Sequence, residues 1–106
     1  MACKYGYIEA TKILLDNKAN IECKDYNLST PLHLACQSNN TEVIQLLMEN
    51  KANINALSSN HFTPLHLACQ NNNTALILFL IKKGANINVL SLNDYTPLHQ
   101  AICASN

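Results

Sequence analysis

The 106-residue sequence contains no arginine, only two glycines and no charge excess of either sign, since seven lysines balance seven carboxylates. Arginine is the side chain that forks onto phosphate or guanine. The cations present, Lys4, Lys12, Lys18, Lys24, Lys51, Lys82 and Lys83, are scattered rather than clustered. Nucleic acid is therefore not an expected partner. The two glycines, Gly6 and Gly84, leave no phosphate-cradling loop, and the carboxylates are isolated rather than paired for acid–base work. No apolar run approaches the roughly 20 residues that span a bilayer, and the first residues lack the apolar stretch of a secretion signal. No membrane role is expected. Five cysteines cannot all pair within one chain, which points to a reducing, intracellular and cytoplasmic setting. Against these shortages stands a 48% hydrophobic content with only 13% charged residues, enough to fold rather than stay disordered.

The sequence does have a period. Thr30-Pro31-Leu32-His33-Leu34-Ala35-Cys36-Gln37 recurs 33 residues later from Thr63 to Gln70, and again as Thr96-Pro97-Leu98-His99-Gln100-Ala101. Ala19-Asn20-Ile21, Ala52-Asn53-Ile54-Asn55 and Ala85-Asn86-Ile87-Asn88 keep the same spacing. Residues 27–59 and 60–92 are identical at 20 of 33 aligned positions. The units run 1–26 (partial), 27–59, 60–92 and 93–106 (partial), and together they make one domain.

Each unit has a physical reading. The threonine is an N-cap hydroxyl, and proline follows at the first helical position, where its missing N–H costs nothing. Leu32, Leu34 and Ala35 give a short apolar helix that must end near Asn39. Gly6, Asn39 and Asn72 share that position, and Gly and Asn tolerate the left-handed conformation that ends a helix. A second helix runs from Glu42 to about Glu49 with Val43, Ile44, Leu46 and Leu47. Its apolar stripe is broad, as in a helix packed between neighbours. The polar segment from Ala52 onward is long enough for a β-turn or hairpin before the next Thr-Pro.

A Thr-Pro-Leu-His-x-Ala start every 33 residues resembles the ankyrin repeat. The resemblance covers essentially the whole chain. It implies an all-α solenoid of stacked helix-turn-helix units with projecting β-hairpin loops, gripping partner proteins with its concave first-helix face and hairpin tips. The family's usual hairpin glycine is replaced by Leu28, His61 and Asp94. Its glycine after the second helix survives as Gly84 but is Lys18 and Lys51 elsewhere. A lysine forced to positive φ there costs about 1 kcal/mol relative to glycine, so this stack should be less stable than an idealised array. Repeat one also lacks the Thr-Pro-Leu-His start, and repeat four ends before its second helix. The chain looks like a truncated product or part of a longer array, with incomplete ends that promote end-to-end self-association.

His33 and His66 each have a cysteine three residues on, Cys36 and Cys69, on one helix face. A metal- or redox-responsive protein using these repeated pairs is the alternative function. Successive pairs lie about 8–10 Å apart, whereas zinc needs its ligands at about 2.0–2.3 Å. The resemblance implies a structural histidine that bonds around the hairpin and helix start. No metal, cofactor or catalytic site is expected, and the chain is not expected to be an enzyme. Cys36 and Cys69 serve as small hydrophobes, while Cys23 and Cys103 are expected to be exposed. Function is sought where the repeat leaves the sequence free. These positions are the tips, with Tyr26, Leu28, Ser29, His61, Phe62, Asp94 and Tyr95, and the first-helix ends, with Tyr5, Gln37, Ser38, Gln70 and Asn71. The tip aromatics either contact a partner or pack on the adjacent hairpin and stiffen it.

Overall fold

A computed structural model describes residues 2–104, with side-chain surroundings for residues 8–103. Six helices follow in order: α1 (Ala2–Asp16), α2 (Pro31–Gln37), α3 (Thr41–Glu49), α4 (Pro64–Gln70), α5 (Thr74–Lys82) and α6 (Pro97–Ala104). The first helices α2, α4 and α6 stack side by side, α3 pairs with α2, α5 pairs with α4, and α1 lies against α3. One core runs through the stack, built on Leu32, Cys36, Ile44, Leu47, Leu65, Ala68, Leu76 and Leu80.

The starts and stops of the helices follow from local chemistry. The Thr30 hydroxyl accepts from the His33 N–H, and His33 Nδ1 accepts from the Thr30 N–H at 3.1 Å, a capping box closed by histidine. Thr63 and His66 repeat it. Asn39 (φ 57) and Asn72 (φ 54) end the first helices in the left-handed conformation. The side chains of Asn40 and Asn73 then cap α3 and α5 by accepting from Val43 and Leu76 N–H. Lys18 and Lys51 both stand at φ 65, where Gly84 stands at 102. At all three, the following residue's N–H returns to Leu14, Leu47 or Leu80 carbonyl, which closes the helix end.

One expectation needs correcting. Gly6 does not end a helix: α1 runs through it as a single 15-residue helix. The reason lies one residue on. Tyr7 stands where Asn40 and Asn73 cap the second helices of their units, and tyrosine is not an N-cap residue. With no signal to start a new helix, the old one continues. The projecting loops stand between the units as expected, as turns, and the described residues contain no strand. Each tip is a closed turn, with Asp25, Ser58 and Ser91 N–H bonded to the carbonyls of Ser29, Phe62 and Tyr95. Side chains take the N–H groups that a strand partner would use: Asp25 accepts from Asn27 and Ser29, Ser58 from Phe62, and Ser91 from Asn93 and Tyr95. Leu28, His61 and Asp94 sit at φ 57 to 60 in these turns. They occupy the left-handed corner without glycine.

Candidate partner-binding surface

Successive tips are joined edge to edge. Ser59 N–H donates to the Asn27 carbonyl at 2.8 Å, and Leu92 N–H to the Asn60 carbonyl at 3.0 Å. A second link comes from histidine. His33 Nε2 donates to the Phe62 carbonyl at 2.8 Å and His66 Nε2 to the Tyr95 carbonyl at 2.9 Å. Each ring thus ties the start of its own helix to the tip of the next unit. With Nδ1 accepting from threonine N–H, the ring must be the neutral Nε2–H tautomer. Burial lowers the pKa of both histidines below the ordinary 6.5, against the opposing pull of the backbone carbonyls.

This geometry leaves nothing for a metal. Both ring nitrogens of His33 and His66 are engaged, and the described residues contain no group of three or more potential ligands. Burial pushes the Cys36 thiol up to about 12 and also raises that of Cys69. Metals and redox partners react with the thiolate, which these sites suppress. Cys23 and Cys103 are exposed and free. The metal- or redox-responsive alternative therefore finds no support.

Between the first two described tips and the ends of α2 and α4 lies a shallow groove of about 260 Å³. It brings together Ser29, Gln37, Phe62 and Gln70 from the expected set, and adds Asn27, Ser58, Ser59 and Asn60. Ser58 was the hardest of these to see, because its hydroxyl is consumed in the turn and only the fold shows its flank facing the groove. Tyr26 is fully exposed, and Leu28, His61 and Asp94 are exposed tip residues outside this groove. Ser38 is exposed but returns its hydroxyl to the Leu34 carbonyl at 2.8 Å. Asn71 is likewise engaged, its amide donating to the carbonyls of Cys36 and Gln37 and so tying α4 to α2. The Tyr5 side chain lies outside the described residues.

Phe62 and Tyr95 are only half-exposed. The Phe62 ring rests on His66 with centroids 5.6 Å apart, and Tyr95 stacks on His99 at 5.5 Å. The Tyr95 hydroxyl also bonds the Cys103 thiol, which raises the phenol pKa above its usual 10. Both rings pack along the first helix of their own unit rather than on the neighbouring tip. Tyr26 makes no such ring contact.

A description of three consecutive ankyrin repeats matches residues 1–58 and again residues 56–106, so the whole sequence is covered. The chain belongs to the ankyrin repeat family. Ankyrin repeats are generally protein–protein interaction modules and typically not enzymes. No curated protein matches the chain. No helix among the described residues is long and apolar enough to cross a membrane.

Proposed function

We propose that this chain holds a partner protein along the row formed by its tips and first-helix ends. Tyr26, Leu28, Ser29, His61, Phe62, Asp94 and Tyr95 supply one bank, and Gln37, Ser38, Gln70 and Asn71 the other, with Tyr5 a further candidate whose side chain lies outside the described residues. The observation that carries this reading is the pair of tip-to-tip bonds, which fixes nonrepeating side chains in register on an ordered frame. Preorganised side chains bind with less entropy loss than mobile ones. Within the set, Tyr26, Gln37 and Gln70 are the anchors to test first, because they are exposed and the fold does not use their side chains. The free buried thiols suit a reducing, cytoplasmic setting. We further propose that a second copy of the chain is one partner, engaged end to end.

The test is affinity capture with mass spectrometry, comparing wild type with the triple variant Tyr26→Ala, Gln37→Ala, Gln70→Ala. A protein retained by wild type should be lost from the variant by more than tenfold, with the urea midpoint unchanged. Equal retention by both removes these residues from the site.

A further inference from the structure

The two complete units, 27–59 and 60–92, meet along the groove of about 260 Å³, and all of its lining residues belong to them. The chain carries seven lysines and seven carboxylates, yet none of them lines this groove. Two other polar clefts differ in this respect. One of about 540 Å³ holds Glu22 and Lys24, and one of about 290 Å³ holds Glu49 and Lys83. The charge bonded to the groove's edge is Asp25, whose carboxylate accepts from the Asn27 and Ser29 N–H groups of its own turn. In the second tip the equivalent residue is Ser58, which closes the turn with a neutral hydroxyl.

The lining instead offers groups that both donate and accept. The amides of Asn27, Gln37, Asn60 and Gln70 and the hydroxyls of Ser29 and Ser59 bond no described residue. All but Ser29 are exposed. The apolar part of the lining is Leu67, which is buried, and the half-exposed ring of Phe62.

These groups discriminate between possible occupants. An anion is held by cationic donors and a cation by carboxylates, and the groove supplies neither. A charged side chain pressed into it would lose water without gaining a counter-charge. An α-helix bonds its main chain internally, so it brings little for the amides to meet. An extended segment carries unpaired N–H and C=O groups along its length, and an amide side chain answers both. Gln37 and Gln70 are equivalent residues of neighbouring units, about 8–10 Å apart by helix packing. About three residues of extended chain, at about 3.3 Å each, cover that distance. Successive side chains of such a segment point to opposite sides, so one can face Phe62 and Leu67 while its neighbours face water.

We propose that this groove holds an extended, uncharged segment of the partner protein, with its main chain on the Gln37 and Gln70 amides and one apolar side chain against Phe62 and Leu67. The inference rests on the partner-holding reading and names the chemistry of the part that is held.

Selection from a random displayed-peptide library on the immobilised 106-residue chain tests this. The recovered peptides should share one aliphatic residue flanked by residues other than Asp, Glu, Lys and Arg. In fluorescence anisotropy a recovered peptide's affinity should change by less than about twofold between about 50 mM and about 500 mM salt, since no ion pair is made. Gln37→Ala and Gln70→Ala should each weaken it by about threefold to tenfold, with the urea midpoint unchanged. Replacing the peptide's aliphatic residue by Lys or Asp should cost more than about tenfold. Recovery of acidic or basic peptides with steep salt dependence overturns the neutral segment, as does recovery of peptides that bind as helices. Binding indifferent to both glutamine variants places the peptide elsewhere and overturns the groove as its seat. A selection that recovers nothing above uncoated support also overturns the proposal, because a short segment suffices in it. Each of these failures leaves partner holding itself standing, since that is read separately by capture of a whole protein on the wild-type chain.

Discussion

Leu65 and Leu98 occupy the same position in consecutive units, yet one is 1% exposed and the other 69%. His66 and His99 differ in the same way: both cap the helix they start, but only His66 also reaches the carbonyl of a following tip. The shared Thr-Pro-Leu-His start gives the same cap in both places. The energetic weight of each residue is set by whether a neighbouring unit lies against it. A repeat of this kind has its secondary structure written within the unit and its stability written between units.

Substitutions sharpen that contrast, and the largest effect is expected in the core. Leu65→Ala should cost about 2–5 kcal/mol, read as a lower urea midpoint. Leu98→Ala, measured at a concentration where the chain is monomeric, should stay within about 0.5 kcal/mol of wild type. Equal losses at the two sites would mean that α6 is already covered in solution.

Acid should act through the interior histidines. His33 and His66 have folded pKa values below 6.5 because burial disfavours the charged ring. The unfolded chain therefore takes up protons first as pH falls. Their contribution is fully present above the ordinary value and is lost as pH drops below it toward the folded values. The urea midpoint should fall between about pH 7 and about pH 5. His66→Ala should flatten that slope as well as lower the midpoint at neutral pH.

The smallest expected change compares helix ends. Lys51→Gly should stabilise the chain by about 1 kcal/mol by relieving the left-handed strain at φ 65. Gly84→Ala should destabilise it by a similar amount, since φ 102 is unfavourable to a side chain even though nothing lies within 4 Å of the added carbon. A lysine that proves neutral on replacement would show that its backbone strain is offset elsewhere.

Much of the fold was legible because its signals are local. Thr30-Pro31 announced a helix start, Asn39 and Asn72 its end, and Lys18 and Lys51 the strained stops. The failure at Gly6 is instructive for the same reason: a residue able to end a helix does so only where the next residues begin another, and Tyr7 does not. The missing strands have a similar origin, since Asp25, Ser58 and Ser91 satisfy the tip N–H groups locally. The candidate surface was legible as a set of free positions, but not which side chains the fold consumes. Nothing in the spacing shows that Asn71 ties α4 to α2 or that Phe62 lies on His66. Those contacts depend on how one unit is seated and on side-chain directions that a period does not encode.

The histidine that reaches from one helix start to the next tip makes the junction of units 27–59 and 60–92 and that of 60–92 and 93–106 the same fastening. Both halves of the fastening are carried by each unit that has the Thr-Pro-Leu-His start, the ring on one side and the carbonyl on the other. Removing or adding a whole block of 33 residues therefore leaves every surviving junction chemically unchanged. A deletion of a single residue between His33 and Phe62 breaks the bond and pulls every later helix out of step. Such a chain can change its length in whole units without relearning how to fold, while being intolerant of any smaller step.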